Sequence, residues 1–425
     1  MRVLILGAGL SGLGAAHLMN QKGHDVTLAN GSIFDSSELE TLGIKCVYSD
    51  DVSVNDGSFD VFIKAPGIPD RHPLVASFDT VYNEIEWAAH YAPDYDFYCI
   101  SGTNGKTTST MLLHAMLERK NKNALLAGNV GIALSEKVFQ EGNHQCDVAL
   151  EISAFQIDGL KDFHAKAYGL LNLSPDHLDH YDDIKDYYGA KVALAAMSDV
   201  FIRNIDDATV VEWTQDIKEN ALDLSLNSDA DIMIKEGAIV FKDTVLFIIN
   251  NYKLVGKHNL YNAALAASLA YLAGVSVEDI SIAISEFKAV EHRCEYVDTI
   301  NGVDYYNDSK ATNPESVDVC LQSFNKPVYL LAGGYDKKIS FNILKKSSDR
   351  VAHAYLFGQS ANQLAEIYPQ HTLVETMEEA FKLATKATEN GDTILLSPAC
   401  ASYDQFKNFE ERGNQFKSLV TKMKK

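Results

Sequence analysis

The segment from Gly102 to Thr108 has residue types and spacing that suit phosphate binding. It follows an apolar run, Tyr95 to Ile100, that predicts a short buried strand, and it precedes a helical pattern. A glycine-rich turn between strand and helix points backbone N–H groups at one place, which also lies at the positive end of the helix dipole. Lys106 adds a mobile positive charge, and the Thr107 hydroxyl is placed to bind Mg²⁺.

This phosphate loop is a short form of the usual motif, G-x-x-G-K-T in place of G-x-x-x-x-G-K-[ST]. It indicates a nucleotide-dependent enzyme or switch, and the alternative is an ordinary glycine-containing turn before a helix. The agreement of strand, Gly-Lys-Thr and helix favours the phosphate site.

Three further side chains have types that suit metal or acid–base chemistry. Glu151 ends an apolar strand and is either a metal ligand or a solvated strand-end carboxylate. His177 lies in a segment rich in His and Asp, residues 174–181, which by itself fits helix caps better than a metal cluster. Lys191 has mostly apolar neighbours, so it is either a desolvated, reactive amine or a lysine that extends to solvent.

A second glycine-rich turn, Gly7 to Gly12, follows the first predicted strand with the spacing G-x-G-x-x-G. A dinucleotide fold should end its second strand in Asp or Glu to hold a ribose, whereas Asn30 stands here. The missing acid argues against NAD but allows the phosphates of another nucleotide. A rigid turn, residues 66–69, follows a later strand at an end where open α/β sheets bind ligands.

Two asparagines, Asn259 and Asn262, are three residues apart on one face of a predicted small-residue helix. Their amides suit a purine edge, and helix capping is the alternative. Residues 200–255 predict strands and hairpins without obvious chemistry. Cys400 has no accompanying base motif, so we do not expect a nucleophile there.

The elements that must position these residues alternate between strands and helices. They predict an α/β fold of three domains: an N-terminal Rossmann-like domain over 1–93, a central P-loop ATPase-like domain with a mostly parallel sheet over 94–294, and a C-terminal dinucleotide-fold-like domain over 295–425.

Composition narrows the function classes. The 425 residues are 46% hydrophobic and carry a net charge of −21. This charge disfavours binding to nucleic acid and to anionic membranes, and the alternative interpretation is that it serves solubility alone. The six cysteines have no C-x-x-C spacing, which favours a reducing compartment. No long apolar run is present, so we expect a cytoplasmic protein without membrane insertion.

These motifs stand in the order found in the Mur ligase family, which the chain resembles over its whole length. The segment Ser397 to Gly413 resembles the signature of the branch that adds D-glutamate. The resemblance implies a uridine-nucleotide domain, an ATP-binding domain and an amino-acid-binding domain, in that order. It also implies ATP-dependent addition of D-glutamate to UDP-N-acetylmuramoyl-L-alanine through an acyl phosphate, in peptidoglycan precursor synthesis.

The resemblance further implies a role for each matched residue. The catalytic set is Lys106, Asn129, His177 and Lys191. The ATP set is Gly102, Thr103, Asn104, Gly105, Lys106, Thr107, Thr108, Asn259, Asn262, Arg293 and Asp308. Two Mg²⁺ ions are implied, with the ligands Thr107, Glu151, His177 and a Lys191 carbamylated by CO₂.

The remaining implied roles concern the two other substrates. The UDP-substrate set is Leu10, Ser11, Asn30, Gly31, Gly67, Asn129 and Gln156. The D-glutamate set is Lys310, Thr312, Lys337, Ser402 and Phe409. We expect a monomer with small-molecule partners only. The alternatives are a ligase of the Mur or folylpolyglutamate type with another amino acid, a dinucleotide-dependent oxidoreductase and a nucleotide switch.

Overall fold

A computed structural model describes residues 1–176, 181, 183–252, 256–287 and 290–424. The chain divides into two compact units. The first comprises Met1–Tyr252 with Tyr261–Phe287, and the second comprises Lys253–Leu260 with Lys288–Lys425. The described residues form three sheets, one in each of the three predicted segments. The domain bounds 1–93, 94–294 and 295–425 stay a prediction.

The first sheet is wholly parallel and has the order β3-β2-β1-β4. Its strands alternate with helices because each buried apolar strand needs a helix against its face. The strands are β1 (Arg2–Leu6), β2 (Asp25–Ala29), β3 (Lys45–Val47) and β4 (Val61–Lys64). The helices are α1 (Leu10–Gln21), α2 (Ser37–Thr41) and α3 (Glu84–Tyr91).

The second sheet has nine strands in the order β13-β12-β11-β10-β9-β8-β5-β7-β6 and is parallel except at β12 and β13. The strands are β5 (Tyr95–Ser101), β6 (Leu125–Gly128), β7 (Cys146–Glu151), β8 (Ala165–Leu170), β9 (Ser198–Asn204), β10 (Ala221–Leu224), β11 (Ile232–Lys235), β12 (Ala238–Phe241) and β13 (Thr244–Ile248). The helices are α4 (Lys106–Lys120), α5 (Leu134–Glu141), α6 (Ala154–Ile157), α7 (Ile184–Ala193), α8 (Ala208–Thr214), α9 (Lys257–Leu272) and α10 (Val277–Glu286).

The third sheet lies in the second unit and has the order β14-β15-β19-β16-β17-β18, parallel except for the β14–β15 hairpin. The strands are β14 (Glu295–Ile300), β15 (Val303–Asn307), β16 (Val328–Gly333), β17 (Val351–Phe357), β18 (His371–Leu373) and β19 (Thr393–Leu396). The helices are α11 (Pro314–Leu321), α12 (Ala361–Ala365), α13 (Met377–Ala387) and α14 (Phe409–Lys422).

The α/β class with mostly parallel sheets is confirmed. One difference lies in residues 200–255, where the sequence predicts only strands and hairpins but the structure adds helix α8. Asp207 caps this helix, because its carboxylate accepts the N–H groups of Thr209 and Val210. Among the described residues, none of the helices is long and apolar enough to cross a membrane.

Candidate functional site

The phosphate loop joins the end of β5 to the start of α4, as the sequence predicts. Gly105 directly precedes the helix with a φ of 86°, a left-handed conformation that favours glycine. A Cβ at this position would also stand 2.3 Å from Oδ1 of Asn262 on α9. Both conditions require glycine here, and a glycine-rich turn at the N-terminus of α4 is an arrangement that suits an anion.

A second segment, which follows β8, holds the phosphate loop in shape. The Asn172 side chain accepts the N–H of Asn104 at 2.8 Å and donates to the Asn104 carbonyl at 3.0 Å. The Thr103 hydroxyl pairs with both backbone groups of Ser174, at 3.0 and 3.1 Å. Sequence reasoning assigned no role to Asn172, although a polar residue after a parallel strand was a usable signal.

Lys106 places its charge over the loop. Its Nζ donates to the carbonyl oxygens of Gly102 and Thr103, both at 2.8 Å. The ammonium group therefore lies at the mouth of the turn, where a β- or γ-phosphate would meet it.

Glu151 lies next to the phosphate loop and is not solvated. Parallel pairing of β7 with β5 sets Glu151 beside Ile100, and the carboxylate is 1% exposed. One oxygen accepts the Asn129 amide at 2.8 Å, whereas Oε2 is buried without a partner among the described residues. The solvated-carboxylate alternative is wrong. A buried carboxylate oxygen without a donor fits a hard cation such as Mg²⁺, which prefers oxygen ligands.

Lys191 is fully buried on α7, so the alternative of a lysine that reaches solvent is wrong. Desolvation lowers the pKa of Lys191 well below its usual value, and the nearby charge of Lys106 lowers it further. Its Nζ donates to the Gly102 carbonyl at 3.0 Å and lies 4.8 Å from the centre of the Tyr187 ring. A strongly desolvated amine thus lies directly behind the phosphate loop.

His177, the fourth predicted metal ligand, lies outside the described residues. Among the residues that the structure does describe, no three His, Cys, Asp or Glu side chains gather as a metal cluster. A metal at Glu151 would therefore take its other ligands from the Thr107 hydroxyl, from phosphate oxygens and from groups beyond the described set.

The predicted UDP-substrate residues lie mostly along the carboxyl edge of the first sheet. Gly12 closes the G-x-G-x-x-G turn, because a Cβ there would collide with the Gly7 carbonyl. Asn30 joins this turn to β2 by accepting the Ala8 N–H at 3.1 Å. Leu10 is 75% exposed beside it. Ser11, Gly31 and Gly67 belong to the same edge and its loops.

Gln156 has a structural partner that the sequence reasoning missed. It is buried in α6, and its Oε1 accepts both the N–H and the hydroxyl of Ser153 in a capping box. A substrate contact for Gln156 would therefore use its amide nitrogen.

In the second unit, Asp308 is buried at the end of β15. Its carboxylate accepts the Ser397 hydroxyl at 2.7 Å and the Cys294 N–H at 3.0 Å. Burial raises the pKa of Asp308 to about 6, and these donors oppose the rise. Arg293 and Asn259 also belong to the second unit, and both are half-buried. Asn262 belongs to the first unit. The predicted ATP set is thus divided, and its assembly stays a prediction.

The D-glutamate set lies in the segments that follow β15, β16 and β19, with Phe409 at the first position of α14. The Lys310 ammonium lies 3.9 Å from the centre of the Phe409 ring, so the structure brings these two residues together. Ser402 is buried, Thr312 is half-buried and Lys337 is exposed.

Arg412, which sequence reasoning did not single out, joins these loops. It is fully buried and donates to the Ser309 hydroxyl and carbonyl at 3.0 and 2.8 Å, and to the Cys400 carbonyl at 3.1 Å. Ser309 in turn donates to the Phe409 carbonyl at 2.8 Å. Arg412 therefore joins the backbone at Ser309, next to Lys310, to the backbone at Cys400, and Ser309 extends this network to Phe409.

A phosphate loop next to a buried carboxylate and a desolvated lysine, on a mostly parallel sheet, defines a P-loop nucleotide-dependent α/β protein. Two family models match the chain. The Mur ligase middle domain matches residues 100–270, and the Mur ligase, glutamate ligase domain matches residues 292–400. The chain belongs to the Mur ligase family, whose members depend on ATP.

Individual relatives agree over the full length. The chain is 36% identical to UDP-N-acetylmuramoylalanine–D-glutamate ligase of Geobacillus sp. (strain WCH70), over 100% of this chain and 98% of that one. It is also 36% identical to the protein of the same name from Bacillus subtilis (strain 168), over 99% and 97%. The solved structure of UDP-N-acetylmuramate-alanine ligase MurC from Thermotoga maritima is similar over 100% of this chain and 100% of that one. The TM-score is 0.62 and the identity is 16%, which shows a shared fold.

Proposed function

We propose that this chain is an ATP-dependent ligase that adds D-glutamate to UDP-N-acetylmuramoyl-L-alanine, as a cytoplasmic monomer in peptidoglycan precursor synthesis. The observation that carries the proposal is the 36% identity to ligases of that name over essentially the full length of both chains. The phosphate loop and the paired Lys310 and Phe409 supply chemistry that such a ligase requires.

The proposed reaction forms an amide in two steps. The substrate carboxylate attacks the γ-phosphorus of ATP and releases ADP, which gives an acyl phosphate. The amine of D-glutamate then attacks the acyl carbon, phosphate leaves, and the amine loses a proton. Negative charge builds on phosphoryl oxygens in the first step and on a tetrahedral oxygen in the second. Lys106 and the N–H groups from Gly102 to Thr108 are placed to stabilise the phosphoryl charge.

Magnesium would neutralise phosphate charge and orient the transferred group. Thr107 and Glu151 would hold one ion, and His177 and Lys191 would serve a second. Burial lowers the pKa of Lys191 and so favours the neutral amine, which is the form that reacts with CO₂ to give a carbamate whose oxygens suit Mg²⁺. We propose that Lys191 carries this carbamate.

The remaining predicted residues would orient the substrates. Asn259, Asn262, Arg293 and Asp308 would face adenosine, and Lys310, Thr312, Lys337, Ser402 and Phe409 would hold D-glutamate. Two lysines in the second set suit a substrate with two carboxylates. Leu10, Ser11, Asn30, Gly31 and Gly67 would contact the uridine nucleotide, with Asn129 and Gln156 near its sugar–peptide portion.

The test is phosphate release with UDP-N-acetylmuramoyl-L-alanine, ATP and Mg²⁺ on addition of D-Glu, L-Glu, L-Lys or meso-diaminopimelate. We expect release with D-Glu alone, and a product heavier by one glutamyl unit in the mass spectrum. Release with a different amino acid would contradict the D-glutamate assignment and leave the ligase mechanism standing. No release with any amino acid would overturn the ligase proposal.

A further inference from the structure

In the first sheet, the carboxylate of Asp50 lies next to the end of β2, where a dinucleotide fold would have an acidic residue. Asn30 ends β2 at the place where a dinucleotide fold usually has the acid that binds a ribose. β3 pairs with β2, and Asp50 follows β3. A Cβ built on Gly31 would stand 2.5 Å from Oδ2 of Asp50, so this carboxylate packs against the backbone just after Asn30. The neighbouring strand therefore supplies the missing charge.

The carboxylate lies in line with the glycine-rich turn. The Asn30 side chain accepts the N–H of Ala8, which belongs to that turn, at 3.1 Å. Along the carboxyl edge the order is thus the turn, then Asn30 and Gly31, then Asp50. A diphosphate at the turn would direct its ribose toward β2 and β3, as in other parallel sheets of this type.

His72 holds the Asp50 carboxylate in this position. Its Nε2 lies 3.2 Å from Oδ2 of Asp50. His72 belongs to the segment that follows β4, and β4 and β3 are the two edge strands of the sheet. Residues 65–72 therefore cross the carboxyl ends of β1 and β2 before they reach Asp50.

The crossing segment is also anchored at its beginning. A Cβ on Gly7 would stand 3.1 Å from Cδ1 of Ile68, so the segment packs onto the glycine-rich turn. The Lys64 ammonium donates to the Ile68 carbonyl at 2.8 Å and pairs with Asp70 at 2.6 Å. At the other end of the segment, His72 contacts Asp50. The segment that carries Gly67 is therefore held at both of its ends.

We propose that Asp50 accepts hydrogen bonds from the ribose hydroxyls of the bound uridine nucleotide and that His72 is the residue that positions this carboxylate. The inference rests on the proposed function, which supplies the nucleotide. An ionised carboxylate is a strong acceptor for a pair of neighbouring hydroxyls, and the exchange of this acceptor for a methyl group should weaken binding about tenfold.

The experiment compares UDP with 2′,3′-dideoxy-UDP by titration calorimetry on the full chain. The wild type should bind UDP about tenfold more tightly than the dideoxy analogue. Asp50→Ala should bind the two equally, at the affinity that the wild type has for the analogue. His72→Ala should reduce the preference, and His72→Gln, which keeps a donor, should restore most of it. Asp51→Ala is the matched control, because the Asp51 carboxylate accepts the Ser53 N–H within its own turn at 2.8 Å.

Three outcomes would overturn the inference. Asp50→Ala could keep the preference for UDP, or it could weaken both ligands equally, as a folding role would. The third is that Asp50→Ala instead abolishes a preference for UDP over N3-methyl-UDP, which would show that Asp50 reads the uracil. If the wild type forms the D-glutamyl product and Asp50→Ala still prefers UDP to 2′,3′-dideoxy-UDP, this inference alone is overturned. A wild type that neither binds UDP nor forms product overturns the proposed function as well.

Discussion

Two loop regions of this molecule hold buried ionisable side chains in different ways. At the phosphate loop, Glu151 has one carboxylate oxygen without a partner among the described residues, and the Lys191 amine contacts the Gly102 carbonyl, the Ser101 hydroxyl and the Tyr187 ring. In the second unit, Arg412 makes three hydrogen bonds to two loops. Burial of a charge costs stability unless hydrogen bonds replace water. The difference indicates that the groups at the phosphate loop are kept for ligands, whereas Arg412 is kept for structure.

Substitution of Lys106 should have the largest effect, and it tests whether the groups at the phosphate loop bind ligands. Lys106→Met should lower the rate of phosphate release about a thousandfold, because no other cation of the loop faces the transferred phosphoryl group. The fold should not change, since the Gly102 and Thr103 carbonyls to which Lys106 donates belong to its own turn. Lys122→Met, an exposed lysine just beyond α4, is the control and should retain wild-type activity. A Lys106 variant within tenfold of the wild type would contradict the assignment.

Substitution of Arg412 tests whether this buried residue stabilises the fold. Arg412→Met leaves the Ser309 and Cys400 carbonyls without donors in the core, so the free energy of unfolding should fall by about 3 kcal/mol. Urea unfolding measures this change. Lys417→Met, on the same helix, removes only part-exposed pairs with Glu291 and Glu295 and should cost less than about 1 kcal/mol. Equal losses in the two variants would argue against a structural role for Arg412.

Lys191 tests whether a buried amine beside the phosphate loop belongs to a ligand site. Lys191→Ala should lower the rate of phosphate release about a hundredfold, because the second magnesium would lose its carbamate ligand. Added formate or acetate should restore part of the rate by supplying a carboxylate in the space that the side chain leaves. Lys106→Ala is the control and should not respond to these acids. Full activity of Lys191→Ala without any addition would contradict the carbamate.

Glu84 on α3 extends the comparison to a carboxylate outside both loops. It is fully buried, one oxygen accepts the Ser135 N–H, and the other has no partner among the described residues. Burial raises the pKa of Glu84 from 4.5 to about 6. As the pH rises, the unfolded chain loses this proton first, so the contribution of Glu84 to the free energy of unfolding falls by about 2 kcal/mol in total around this pH range and is constant well above pH 6. Glu84→Gln should remove this contribution and leave that of Asp308, whose pKa is also raised to about 6.

Glu86, on the same helix, is the matched control for Glu84. Its carboxylate accepts three backbone N–H groups, those of Lys161, Asp162 and Phe163, so both oxygens are paired. Glu86→Gln should therefore destabilise the chain by about 1–2 kcal/mol, whereas Glu84→Gln should stabilise it at pH 7. Urea unfolding at pH 4.5 and pH 7 compares the two variants. A Glu84→Gln variant that is less stable than the wild type at pH 7 would contradict the account.

Local patterns in the sequence were enough to predict the strands and the two glycine-rich turns, and they gave desolvation of Lys191 as one of two alternatives. Each of these features depends on residues within one strand–turn–helix unit. Long-range partners were not predictable, because nothing near Asn172, Asp50 or Arg412 records which distant loop each one meets. The same reason explains Glu151, whose burial depends on the pairing of β7 between β5 and β6. Asp207 was missed because a cap within a run of short strands looks like a turn residue.

The contact between Gly105 and Asn262 has a consequence for how this sequence can change. The glycine leaves no room for a side chain because the Asn262 amide occupies the space. The two positions, which are far apart in the chain, are therefore constrained as a pair. A larger residue at 105 would need a smaller one at 262 as well as a backbone that tolerates a positive φ. Because position 262 is also predicted to face the adenosine, a larger residue at 105 would affect both ends of the predicted nucleotide site at once.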